Sequence, residues 1–313
     1  MEEITFPSGK SEILIRLIDK NQQKIEKAFG ITLSSRGDKV MFEGGLQPRK
    51  LFKKYCSSLI KVADLSPSFN GNDFKISLNM VKDGNINLIE TELLQSQKID
   101  INGKSVFPKT FNQKTYIRAA FENDLTFAIG PAGTGKTFLA VAVAVHYLLN
   151  KKTERIVLTR PVVEAGENLG FLPGDIQQKV NPYFRPLYDS LYCLIGFEKT
   201  SELIEKEIIE IAPLAYMRGR TINNAFIILD EGQNTTNSQM QMFLTRFGSN
   251  SKVIVTADVT QIDLKEKNKS GIFRAKKILK NIEGIEIIHL KDKDVVRHRL
   301  VQKIINAYER EKK

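Results

Sequence analysis

Gly130, Gly133, Gly135, Lys136 and Thr137 stand in the spacing G-x-x-x-x-G-K-T, a pattern suited to gripping a polyphosphate. Small residues let the backbone turn tightly, with Pro131, Ala132 and Thr134 between the glycines. The N–H groups can then face anionic oxygens at the start of the helix that follows. Lys136 would reach the β- and γ-phosphates of a nucleoside triphosphate, and the Thr137 hydroxyl suits a hard, octahedral Mg2+ shared with those phosphates. Such a cradle binds a nucleotide without saying what becomes of it. The acidic partner is more telling, because the apolar run Ala225 to Leu229 ends in Asp230 and Glu231. Asp230 is placed to hold Mg2+ through a water, and Glu231 to orient and activate a water for in-line attack on the γ-phosphate. A third apolar run, Lys252 to Ala257, leads into Asp258 and Gln261. Gln261 is the natural γ-phosphate sensor; the competing reading is a polar loop that merely closes a buried strand. The guanine-reading pattern Asn-Lys-x-Asp is absent, which argues against a GTPase. Glu231 also argues against a small-molecule phosphotransferase, since it supplies a base for water.

These groups must be brought together by the elements that carry them. Periodicity predicts strands at 125–130, 155–160, 225–229, 252–257 and 285–290, alternating with helices at 136–149, 236–247, 270–281 and 295–310. A long insertion follows the second strand. This is an α/β fold, a parallel sheet wrapped by helices, with the candidate residues at the C-terminal ends of strands, where open sheets bind ligands. Upstream, an amphipathic helix over 12–29, strands near 31–34 and 40–42 about a turn at 36–38, and a helix over 48–62 predict a small α/β module. Residues 66–87, rich in Ser, Asn, Asp and Gly, read as turns, and 96–108 as a linker. The expected division is therefore 1–95, a linker at 96–108, and a nucleotide-binding domain over 109–313.

Taken together, Asn112-Gln113, the phosphate loop, Arg160-Pro161, Glu164, Gly166-Glu167, Gly170 to Asp175, Arg185-Pro186, Arg218 to Thr221, Asp230-Glu231, Arg246 to Gly248 and Asp294 to His298 form a string that resembles the PhoH family, ATPases related to helicases. Gly232, Ala257 and Lys265 depart from the family's pattern. The resemblance implies a single RecA-like P-loop NTPase core using ATP and Mg2+, preceded by a KH-like domain. It also implies hydrolysis coupled to single-stranded RNA, in RNA processing or ribosome maturation, with a YbeY-type endoribonuclease as a partner. Related helicases set ATP between two cores and complete the site with an arginine from the second. A single core would borrow it from a neighbour, so a homo-oligomer, in the form of a ring, is expected, with Arg218, Arg220 or Arg297 acting in trans. The alternative is an RNA-tethering protein that uses ATP to hold its oligomer together. Gln113 matches an adenine-reading glutamine with Tyr116 packed nearby, although Thr110 and Gln113 also fit a helix-capping box. Arg160-Pro161 and Tyr183, Phe184 and Arg185 are candidates for RNA contact. The small domain lacks the Gly-x-x-Gly clamp expected between Asp19 and Lys27.

Composition bounds these readings. The 313 residues are 42% hydrophobic, ample for a core, and carry a net charge of +11. Residues 1–100 hold 15 basic and 13 acidic side chains and residues 101–313 hold 32 and 23, so the excess lies in the nucleotide-binding part, where a polyanion-binding face or an ordinary solvated surface would both produce it. The N-terminus has neither a basic n-region nor an apolar h-region, and no uncharged run reaches membrane-spanning length. A cytoplasmic protein without membrane contact is expected. Cys56 and Cys193 have no metal-type spacing and read as packing residues.

Overall fold

The computed structural model describes residues 1–7, 11–66, 69–94, 98–162, 176–296, 300–301, 304 and 307–308. The chain divides into two compact units, one made of residues 1–96 with 109–111, the other of 97–108 with 112–313.

The first unit is a small α/β domain. Strands β1 (Glu2–Thr5), β2 (Ile31–Arg36) and β3 (Lys39–Gly44) form an antiparallel sheet in the order β1-β3-β2. The helix expected over 12–29 is two, α1 (Ser11–Lys20) and α2 (Gln22–Phe29), broken where the Asn21 amide turns back to donate to the Leu17 carbonyl at 2.8 Å. Helix α3 (Leu46–Leu65) packs its aromatic face inward: Phe52 stands 5.3 Å from Phe29 and 5.0 Å from Phe42, ring centroid to centroid. Residues 66–87, expected to be turns, contain α4 (Gly71–Lys82), followed by α5 (Ile89–Leu94). The polar composition misleads because part of it is a cap. The Asn70 side chain accepts from the Asn72 N–H at 2.8 Å while the Asp73 carboxylate accepts from the Asn70 N–H at 3.1 Å, and Phe74, Ile76, Leu78 and Met80 are buried behind them.

The second unit is built on six parallel strands: β6 (Leu125–Ile129), β7 (Arg155–Arg160), β8 (Ile209–Pro213), β9 (Ala225–Leu229), β10 (Lys252–Ala257) and β11 (Ile285–His289), in the order β11-β6-β10-β9-β7-β8. Side chains alternate between two cores. Ile156, Leu158, Phe226 and Ile228 face one, and Val157, Ala225, Ile227 and Leu229 the other. Burial on both faces explains why these strands are uninterrupted apolar runs. One face is covered by α6 (Phe111–Glu122), α7 (Lys136–Leu149), α8 (Ile176–Ile195) and α9 (Phe197–Glu205), the other by α10 (Asn237–Leu244) and α11 (Gly271–Leu279).

Two expectations change here. Residues 99–106 of the expected linker form a hairpin, β4 (Ile99–Ile101) and β5 (Lys104–Val106), that lies on α7 and buries Ile99 and Ile101 in its core. The long insertion supplies a sixth strand, β8, beyond β7; Glu210 inside it and Pro213 at its end hide its strand character. The helix expected over 295–310 falls largely outside the described residues. Among the described residues, no helix is long and apolar enough to cross a membrane.

Candidate functional site

The loop from Gly130 to Gly135 joins β6 to α7 at the C-terminal edge of the sheet. Its glycines serve different purposes. Gly133 and Gly135 hold φ of +81° and +79°, the left-handed region where a side chain is strained. Gly130 is instead a point of close approach: a Cβ there would lie 2.6 Å from the Leu290 carbonyl oxygen. Helix α6 braces the loop from behind. Gln113 Nε2 donates to the Thr134 carbonyl at 2.9 Å, and the Tyr116 hydroxyl donates to the Lys136 carbonyl at 3.2 Å. Both side chains are buried, and through these bonds Gln113 and Tyr116 fix the loop's backbone. Lys136 Nζ donates to the carbonyls of Gly130 and Pro131 at 2.7 and 2.9 Å, folded onto the loop that it would leave for a phosphate.

The carboxylates meet this loop across the sheet. Asp230 is buried at the end of β9, and its Oδ1 accepts from the Thr137 hydroxyl at 2.7 Å and from the Thr256 hydroxyl, on β10, at 2.6 Å. The donor set fits Mg2+: one carboxylate and one hydroxyl, hard oxygens, beside a cradle that would contribute phosphate oxygens. Among the described residues there is no cluster of three or more His, Cys, Asp or Glu that could cage a metal by itself. Thr137 and Asp230 would hold it.

Glu231 follows in a left-handed conformation, φ 54° and ψ 40°, which swings its side chain out of the strand's register. Its carboxylate accepts from Gln233 Nε2. Burial, then the neighbouring Asp230 charge, push its pKa above the usual carboxylate range, while Gln233, Arg160 and Lys136 pull the other way. A raised pKa is what a base working near neutrality requires.

Gln233 is the residue that sequence reasoning passed over. Fully buried, it donates to the Gln261 carbonyl at 3.0 Å as well as to Glu231, accepts from the Asp258 N–H at 2.9 Å, and has its own carbonyl capped by the Ser270 hydroxyl at 2.5 Å. One residue, through its side-chain amide and its backbone carbonyl, thus ties the end of β9 to the loop after β10 and the start of α11. Asp258 orders that loop by accepting from the Thr260 N–H and hydroxyl at 2.9 and 2.6 Å. Gln261 is tied in through its backbone, and its side chain is exposed. Thr256 was also missed; a threonine near the end of a buried strand carries no mark of its bond to Asp230.

A scan against family models matches residues 105–309 to PhoH, described as PhoH-like protein. The chain belongs to the PhoH family. A PhoH-like protein of Bacillus subtilis is 47% identical over 287 residues, 92% of this chain and 90% of that one. One from Mycobacterium bovis is 48% identical over 297 residues, 95% and 84% of the two chains, and the protein PhoH of Escherichia coli K12 is 47% identical over 198 residues, 63% and 56%. Among solved structures, the SWI2/SNF2 ATPase core of Sulfolobus solfataricus in complex with dsDNA is similar over 59% of this chain and 45% of that one, at 14% identity and a TM-score of 0.36, too loose to argue from. The fold and loop described above are those of a P-loop NTPase, and within the PhoH family the site is a nucleotide-binding one.

Other predicted site residues fall differently in this PhoH-family chain. Arg220 forms a two-pronged pair with Glu210, at 2.5 and 2.7 Å, and is therefore already engaged within its own chain. Arg218 is exposed beside α10, in a surface hollow with Gly219, Gln241 and Arg246. Arg297 lies outside the described residues, as do Glu164, Gly166, Glu167, Gly170 to Asp175 and His298. The preceding Val296 donates its N–H to the Gly133 carbonyl at 2.9 Å. Phe184, proposed for stacking, is buried in the core, and Arg160 faces the two carboxylates. Of the departures from the PhoH pattern, Gly232 has a local reason: a Cβ there would come within 2.8 Å of Val255 Cγ1.

Proposed function

We propose that this protein binds ATP with Mg2+ and hydrolyses it, with Glu231 activating the attacking water, and that turnover is coupled to single-stranded RNA. The observation that carries the hydrolytic part is Glu231, shifted toward basicity, next to an Asp230 that is bonded directly to Thr137 of the phosphate cradle. Bound Mg2+ would supply charge neutralisation at the phosphates. The chain's own contributions are the cradle's N–H groups and Lys136 for binding, and Glu231, oriented by Gln233, for accepting the water's proton. Turnover of ATP with and without single-stranded RNA tests the whole reading; an absence of hydrolysis under both conditions would refute it.

Glu231 must be ionised to act as a base. The acid limb of kcat is therefore expected above the ordinary glutamate value of 4.5, and a profile whose limb falls at or below that value would count against the assignment. The sign for stability is opposite. Because folding disfavours the charged form, this residue's contribution to stability is fullest at low pH and is lost as pH rises through its raised pKa.

For RNA, the best-supported surface is α11 with the edge strand β11. Lys276, Lys277 and Lys280 are exposed along the helix beside an exposed Phe273, and with Glu286 and His289 they line a hollow of about 560 Å³. Partial burial, and then the charges of Lys276 and Lys291, push the His289 pKa down. Lysines for phosphates beside an aromatic ring for a base are the elements of single-strand binding. Replacing the three lysines by alanine should flatten the slope of log K against log salt by about 2, at ~0.7 for each phosphate contact, while Phe273→Ala should weaken binding by roughly 5- to 150-fold. An unaltered salt slope would return these lysines to the role of a solvated face. The small N-terminal domain, read as KH-like from the family resemblance, lacks the Gly-x-x-Gly clamp, so we assign the principal contact to α11 and β11.

The same reading includes a cytoplasmic homo-oligomer whose sites are completed by a neighbour's arginine, and a metal-dependent endoribonuclease of the YbeY type as a partner in RNA processing.

A further inference from the structure

Asp230 and Glu231 are consecutive carboxylates at one strand end, the first almost wholly buried, and such a pair calls for a cation. Arg160, at the end of the adjacent β7, provides one. Its Nη1 lies 3.7 Å from Asp230 Oδ2 and its Nη2 3.9 Å from Glu231 Oε1. Neither distance is a hydrogen bond, so the guanidinium is held to the carboxylates by charge and not by a bidentate fork. Its direct bond runs elsewhere: Nη1 donates to the Tyr183 carbonyl, on α8, at 2.9 Å. The two oxygens of Asp230 are accordingly unlike. Oδ1 is taken by the hydroxyls of Thr137 and Thr256, and Oδ2 is the one turned toward Arg160.

A divalent cation bound at Asp230, directly or through a water, would place two positive groups against one small carboxylate in a poorly solvated site. Coulomb repulsion there is far stronger than in water. We propose that Arg160 is a placeholder cation: it neutralises Asp230 and Glu231 when no metal–nucleotide is present, and gives up Asp230 when one enters. Because the same guanidinium is bonded to Tyr183, its displacement transmits the occupancy of the site to α8. This gives Arg160 a positioning role in place of the RNA contact expected of it, and it rests on the reading of the site as one for ATP and Mg2+.

The test uses the full chain, a fluorescent ADP and a Mg2+ titration. ADP lacks the γ-phosphate, so any direct contact of Arg160 with that group drops out. In Arg160→Ala the Mg2+ concentration needed for half-maximal nucleotide binding should fall on the order of ten-fold, the scale of a modest coupling between two sites. Arg160→Gln should behave similarly, since it removes the charge and keeps a donor for Tyr183; it also serves if the alanine variant does not fold. Amide hydrogen exchange over residues 183–188 should respond to Mg·ADP in the wild type and no longer do so in Arg160→Ala. An unchanged or increased Mg2+ requirement in the folded variant would overturn the placeholder role, and an exchange response that persists without Arg160 would overturn the link to α8. Failure of the wild type to bind Mg·ADP at all would instead refute the nucleotide site itself.

Discussion

Glu231→Gln is expected to slow ATP hydrolysis by ~10²-fold or more while leaving ATP and Mg2+ bound, whereas Lys136→Ala should lose nucleotide affinity together with turnover. The two variants separate because the side chains enter at different stages. Lys136 already lies within the cradle, bonded to Gly130 and Pro131, and can exchange those carbonyls for phosphate oxygens. Glu231 takes its hydrogen bond from Gln233, and Asp230, not Glu231, is joined to Thr137. Removing its basicity therefore leaves the binding groups in place. Nucleotide affinity measured by equilibrium binding, set against kcat for each variant, checks the pair. Wild-type turnover in Glu231→Gln would show that another group accepts the proton.

The second large effect concerns the arginine that the proposed function takes from a neighbouring subunit. Alanine at Arg218 or at Arg297 is expected to lower turnover by about 10³-fold without loss of ATP binding, the scale at which an arginine stabilises charge in phosphoryl transfer. Within the chain, Arg220 is paired with Glu210, which leaves an exposed residue such as Arg218 better suited to reach outward. Mixing gives the decisive measurement. An inactive arginine variant combined with Lys136→Ala should recover part of the activity, because some interfaces then pair an intact loop with an intact arginine. A monomer in sedimentation that turns over at the full rate would end the idea.

The phosphate loop and both carboxylates could be read from the chain because their chemistry is local. Gly133, Gly135, Lys136 and Thr137 act within a few residues of one another, and Asp230-Glu231 is marked by the apolar strand before it. What escaped detection depends on long-range contact. Gln233 and Thr256 are ordinary residues, and Arg160 is a candidate for another task, until strands β7, β9 and β10 are laid side by side, when a separation of 25 residues collapses to a hydrogen bond between Gln233 and Asp258. The same limit explains Gln113. Its motif was recognisable, but whether its amide faces a base or the back of the loop is decided by packing against Thr134. In the fold, doubly buried strands were plain from their apolar runs, while β8 was hidden by the polar and proline residues an edge position tolerates, and α4 by capping residues that resemble a loop's.

The left-handed backbone at Glu231 sets the interests of the fold against those of the reaction. A long side chain in that conformation costs about 1 kcal/mol or more, a penalty that glycine avoids and asparagine lessens. Selection for heat resistance alone would therefore favour replacing the residue to which the proposed hydrolysis assigns the base. A lineage released from the need for turnover would be expected to drift at this position early, and a glycine or asparagine at 231 in a related sequence would mark a protein that has kept the nucleotide cradle as a binding device.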